Sequence, residues 1–179
     1  MANTYTQIYI QIVFAVKGRQ HLIPKENREE LHKFISGIVS NRGQKLFSIF
    51  AMPDHVHILV SLSPSISISD LVRDIKAGSS KFINDKNWIN EKFSWQEGYG
   101  AFSYSKSSVD AVVKYILNQE EHHKNKSFKE EYLDFLNKFE IEYDSKYLFD
   151  WIESNYQVAP TELGFSVTGF SINSSPFYG

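Results

Sequence analysis

The chain has 179 residues, 42% hydrophobic and 15% aromatic, which is enough for one well-buried domain and a tail. It contains no cysteine, transmembrane-length run or leader pattern, which excludes a disulfide framework and a thiol nucleophile and leads us to expect a cytoplasmic protein. Net charge is −2, but 15 Lys+Arg face 12 Asp+Glu through Asn125 and 4 face 9 from Lys126 onward, so a basic face is available only on the first part.

From Thr4 to Val16, Ile8, Ile10, Ile12, Phe14 and Val16 alternate with Gln7, Tyr9, Gln11 and Val13. This period of two predicts a strand with one buried face. Pro24 then precedes a helical stripe of Leu31, Phe34, Ile35, Ile38 and Val39, closed by Asn41-Arg42-Gly43. Gln44 to Ala51 reads as a second strand, and Pro53-Asp54 turns it into a third, making a hairpin. On that third strand His55 and His57 leave the same face, while Val56, Ile58 and Val60 leave the other. Two imidazoles on one rigid face make half a metal site.

Ser69 is a plausible N-cap for a helix carrying Leu71, Val72, Ile75, Phe82 and Ile83, with Arg73, Lys76 and Lys81 supplying positive charge nearby. A short strand is expected at Ala101 to Ser105. The order strand, helix, strand, strand, helix, strand predicts an α+β, ferredoxin-like split βαβ sheet with helices on one face. A third helix, Val109 to about His123, carries Tyr115 and Gln119 one turn apart on the flank of its apolar stripe, with His122 close by. It is expected to dock over the open sheet face. Ser127 opens a fourth helix with Phe128, Tyr132, Phe135 and Leu136 inward. Residues 1–149 read as one domain, and 150–179 as an extension, either a strand pair or a tail.

Taken singly, these residues have ordinary explanations. The histidine pair lacks the third histidine of histidine-triad hydrolases, since Leu59 stands there, and lacks the second copy that two-histidine phosphoesterases carry. Tyr115 alone is a packing residue, Gln119 a surface one, and His122-His123 after Glu120-Glu121 a polar helix end. Arg73, Lys76 and Lys81 alone are a solvated face.

Three segments together resemble the TnpA-type single-tyrosine HUH transposases of small insertion sequences, which include the REP-associated tyrosine transposases. They are Met52-Pro53-Asp54-His55-Val56-His57-Ile58-Leu59-Val60, Trp95-Gln96-Glu97-Gly98-Tyr99-Gly100-Ala101-Phe102, and Lys114-Tyr115-Ile116-Leu117-Asn118-Gln119-Glu120-Glu121-His122-His123. The resemblance runs from about Thr4 to Phe149. It implies that His55, His57 and Gln119 hold Mg²⁺ or Mn²⁺ and that Tyr115 attacks single-stranded DNA through a 5′-phosphotyrosine. It further implies recognition of subterminal DNA hairpins, with Arg73, Lys76, Lys81 and Tyr9 as contact candidates. A homodimer with active sites completed in trans is also implied. Alternatives are an HUH relaxase or replication initiator, or a catalytically silent hairpin-binding module.

Overall fold

A computed structural model describes residues 5–148; the expected extension, 150–179, lies outside them. The alternating segment forms β1 (Tyr9–Ala15). The Pro53-Asp54 turn joins β2 (Lys45–Ala51) to β3 (His55–Ser61), and β4 is Gly100–Tyr104. The sheet order is β2-β3-β1-β4, with every neighbouring pair antiparallel. Helices α1 (Arg28–Asn41) and α2 (Ile68–Asp85) make the two crossovers, completing the expected ferredoxin-like split βαβ unit.

One sheet face carries Ile10, Ile12 and Phe14 of β1 and Val56, Ile58 and Val60 of β3. These pack on Leu31, Ile35 and Val39 of α1 and on Leu71, Val72, Ile75 and Ile83 of α2. Each such side chain contributes roughly 1.5–3 kcal/mol by leaving water. α1 stops where foreseen: Gly43, at φ +68°, lets the Gly43 and Gln44 amides bond back to the Ser40 and Val39 carbonyls at 2.8 and 3.0 Å. The cap of α2 is Ser67, two residues before the expected Ser69, because the Ser67 hydroxyl accepts from the Asp70 amide.

The second face is covered as well. β1 is buried at all seven positions, not at alternate ones. α3 (Val109–Leu117) packs Val109, Val112 and Ile116 on Tyr9 and Leu59. α5 (Phe128–Lys138) packs Phe128, Tyr132, Phe135 and Leu136 on Val13, Ala15 and Phe102. A capping box between Ser127 and Glu130 starts α5. The tyrosine helix thus lies over the second face as expected, and α5 lies beside it.

The third helix does not run unbroken to His123. Asn118, at φ −98° and ψ 20°, separates α3 from the single turn α4 (Gln119–His122). Glu120 ties that turn to the start of α1 through Lys25 at 3.1 Å and Arg28 at 2.5 Å.

Gly100 shows how closely α5 sits on β4. A Cβ there would come within 2.9 Å of the Phe102 and Tyr132 rings. Gly100→Val is therefore expected to cost about 1–3 kcal/mol through overpacking. A urea titration should show a lower midpoint with an unchanged slope.

Candidate active site

β3 presents His55 and His57 on the face that α3 and α5 cover, and both are buried. Their rings meet edge to face at 5.1 Å between centroids. Asp54, itself buried in the turn, lies 2.7 Å from His55 Nδ1. The carboxylate fixes the proton on Nδ1 and leaves the Nε2 lone pair pointing inward. Burial holds the His55 imidazole neutral, with its pKa lowered to about 4. Gln11 holds His57 from the other side, its Nε2 3.1 Å from Nδ1 and its Oε1 accepting from the Tyr104 hydroxyl at 3.0 Å.

Tyr115 projects from α3 toward the histidine pair, 6.3 Å from His57 between ring centroids. Its hydroxyl donates to Glu131 Oε1 and lies 3.4 Å from His122 Nε2. Burial and the neighbouring Glu131 carboxylate both push the phenol pKa up. Gln119 is fully buried; its Nε2 donates to Glu131 Oε1 at 3.0 Å. Its Oε1, like His57 Nε2 and Glu131 Oε2, has no hydrogen-bond partner among the described residues.

Two groups at the centre of the site were not foreseen. Glu131, on α5, is 2% exposed and touches Tyr115, Gln119, His57 and His123. Burial alone would raise its carboxyl pKa, but His57, His123 and His55 outweigh this and hold it well below the usual range. The sequence carried one signal for it. Glu131 sits three residues after Phe128 and four before Phe135, so it falls on the helix's inward stripe, where an unpaired carboxylate is rare. His123 follows α4, and its Nδ1 donates to the Lys126 carbonyl at 2.8 Å, so its Nε2 also faces inward.

The donor atoms of His55, His57, His123 and Glu131 all lie within 4.8 Å of one another, a group that could hold a metal ion. Three of its spacings are of ligand-to-ligand size. His55 and His123 Nε2 stand 3.1 Å apart, and Glu131 Oε2 is 3.3 Å from both His57 and His123 Nε2. Ligands bonded at about 2.0–2.2 Å around a tetrahedral ion would stand roughly 3.2–3.6 Å apart. With both Nδ1 atoms protonated, the His55 and His123 lone pairs face each other, an arrangement that a cation between them relieves. A cavity of about 700 Å³ between β4, α3 and α5 brings solvent to Tyr115; Tyr104, Ser105, Val112, Glu131 and Phe135 also line it.

The four DNA-contact candidates lie elsewhere. Tyr9 is only 3% exposed, locked edge-on against Phe47 at 5.4 Å between ring centroids, so it is core and not a stacking platform. It points to the sheet face that α3 covers. Arg73 pairs with Asp70 and Asp74, and Lys81 with Asp85, on the exposed side of α2. Lys76 is half-buried and donates to the carbonyls of Gln96 and Gly98 at 2.6 and 2.7 Å; burial lowers its pKa to about 8. Lys76→Met is expected to lose about 2 kcal/mol, a fall of roughly 4–8 °C in Tm by differential scanning calorimetry, because it unties that loop.

Comparison with known proteins bears on the fold and the family. The model of the family described as "Transposase IS200 like" matches residues 4–119. Among curated proteins, the ISDra2 transposase TnpA of Deinococcus radiodurans is 26% identical over 120 residues, 63% of this chain and 84% of that protein. The transposase for insertion sequence element IS200 of Salmonella typhimurium is 24% identical over 130 residues, 69% of this chain and 84% of that protein. A solved structure of a candidate transposase from Deinococcus radiodurans R1 superposes with a TM-score of 0.53 at 22% identity, covering 66% of this chain and 95% of that one. A REP-associated tyrosine transposase bound to a REP hairpin gives 0.51 at 16% identity, covering 69% and 73%. With the matched model spanning well over half its length, the chain belongs to the IS200-like transposase family.

Proposed function

We propose that the protein cleaves and rejoins single-stranded DNA at the ends of an insertion sequence, using Tyr115 as the nucleophile. The meeting of the Tyr115 hydroxyl with the His55–His57 pair in one buried cluster carries this reading. Tyr115 Oη attacks the scissile phosphorus as its proton passes to Glu131 Oε1, and the bond from phosphorus to the 3′ oxygen breaks. The products are a 5′-phosphotyrosine and a free 3′-hydroxyl, and the leaving oxygen takes up a proton. Because the phosphodiester energy is kept in the covalent link, a 3′-hydroxyl can later attack the phosphotyrosine and rejoin strands.

An Mg²⁺ or Mn²⁺ ion held by His55 and His57 would supply Lewis-acid polarisation of the scissile phosphate. The chain's own groups do the rest. Asp54 and Gln11 hold the two imidazoles in orientation. Glu131 fixes the phenolic hydroxyl. The substrate reaches that hydroxyl through the cavity between β4, α3 and α5. The relative bound to a REP hairpin supports hairpin-bearing DNA as the substrate class.

The test is a denaturing gel after incubation with hairpin-bearing single-stranded oligonucleotides and Mn²⁺ or Mg²⁺. A protein–DNA adduct that survives denaturation, is lost with a chelator and is absent on duplex DNA is expected. Binding with no adduct under any metal would instead favour the catalytically silent hairpin-binding module.

A further inference from the structure

Tyr115 stands between two cavities. One, of about 700 Å³, lies between β4, α3 and α5. The other, of about 940 Å³, lies between α3, α4 and the start of α5, where Lys114, Asn118 and Asn125 line it. Ala111, Tyr115, His122 and Lys126 line both, so the two are halves of one groove with the phenol between them. We infer that a single DNA strand lies along this groove past Tyr115, and that Lys138 in the first half and Lys114 in the second each hold a backbone phosphate. The inference rests on the reading of Tyr115 as a nucleophile toward single-stranded DNA and adds how the strand lies on the protein.

Charge is the first support. The carboxylates lining the groove are engaged: Asp134 pairs with Lys126, Glu121 with Lys124, Glu130 with the Ser127 cap, and Glu131 takes the Tyr115 hydroxyl. Lys114 and Lys138 are exposed, and among the described residues neither has a carboxylate partner. Each lines one half only, so a free cation stands on either side of the nucleophile. Such an ammonium keeps its whole charge for a phosphate. The lining is the second support. Tyr104, Phe135 and Phe139 give the first half aromatic walls that suit an unstacked base, whereas Asn118 and Asn125 offer the second half amides for sugar and phosphate oxygens. A duplex keeps its base faces stacked and gains nothing from aromatic walls. The third is continuity. The groove runs past the hydroxyl instead of ending at it, as attack on a phosphate with nucleotides on both sides requires. On α2, by contrast, Arg73 and Lys81 are already paired with carboxylates.

The test uses the full chain carrying Tyr115→Phe, which blocks cleavage, and a fluorescent strand of about ten thymidines. Lys114→Gln and Lys138→Gln should each weaken binding and lower the slope of log K against log salt by about 0.7, the share of one single-strand phosphate. Lys81→Gln removes the same charge from α2 and should change neither; equal losses in all three would overturn the inference. The chain has no cysteine, so Ser107→Cys and Asn125→Cys, one in each half of the groove, can each carry a single dye. All five of these positions are exposed, so the substitutions leave the core untouched. With an energy-transfer acceptor on one end of the strand or the other, the dye at 107 should lie nearer one end and the dye at 125 nearer the opposite end. The same preference at both positions, no preference, or equally tight binding of the matching duplex would overturn it. Wild-type adducts with no loss in either lysine variant would sink the groove alone. Both lysine losses and opposed end preferences, with no adduct on any DNA, would sink the strand-transfer reading alone.

Discussion

Tyr115→Phe abolishes the covalent adduct and lowers strand cleavage by on the order of 10³-fold or more, the scale on which removal of an essential nucleophile acts. Among the described residues no other phenol is placed to replace it within the site. The Tyr104 hydroxyl is committed to Gln11, and Tyr132 packs its ring against β4. Losing one hydroxyl removes a single hydrogen bond to a charged group, worth about 1.5–3 kcal/mol, and Glu131 Oε1 keeps the Gln119 amide. The variant should therefore fold, bind DNA and fail only in chemistry. Radiolabelled oligonucleotide on a denaturing gel separates these outcomes. An adduct that persists in Tyr115→Phe would remove Tyr115 from the mechanism.

The sheet was legible because its signals are local. Alternation in β1 and the Pro53-Asp54 turn predict the strands, and the stripes of α1 and α2 predict the layer on the first face. The same alternation could not show that the second face is covered too. Gln11 reads as solvent-facing, yet it is fully buried because His57 and Tyr104 satisfy its amide. Tyr9 reads as exposed because its cover, α3, arrives a hundred residues later in the chain.

The site was legible by halves for the same reason. His55 and His57 declare themselves by a spacing of two on a strand, whereas His123 follows three charged or polar residues and looks like a helix end. Glu131 sits among Lys129, Glu130 and Asp134, where one more carboxylate is unremarkable unless the inward stripe is traced through it. The break at Asn118 was hidden too. Helical periodicity continues across it, and the tie of Glu120 to Lys25 and Arg28 spans more than ninety positions. What the sequence could not supply was contact between segments far apart in the chain.

Mixing His57→Ala with Tyr115→Phe chains is expected to restore no adduct, although each carries the group the other lacks. The resemblance implied sites completed in trans; in the single chain described, Tyr115 lies against the histidines of that same chain, and the mixture decides between the two arrangements. Moving α3 to a partner would strip Val109, Val112 and Ile116 from Tyr9 and Leu59, a temporary loss of roughly 5–9 kcal/mol until equivalent contacts form. α3 would also leave behind Glu131, which holds its hydroxyl, and would pull on α4, which Glu120 anchors to α1. A site assembled in one chain incurs none of these costs. Were trans completion the rule, equal mixing would return about a quarter of wild-type adduct, since half of the pairs would be mixed and each would hold one intact site of two. Co-refolded mixtures, assayed beside each variant alone, discriminate between these values. Adduct near a quarter would overturn the single-chain site, and adduct at the level of the separate variants would confirm that Tyr115 serves the histidines beside it.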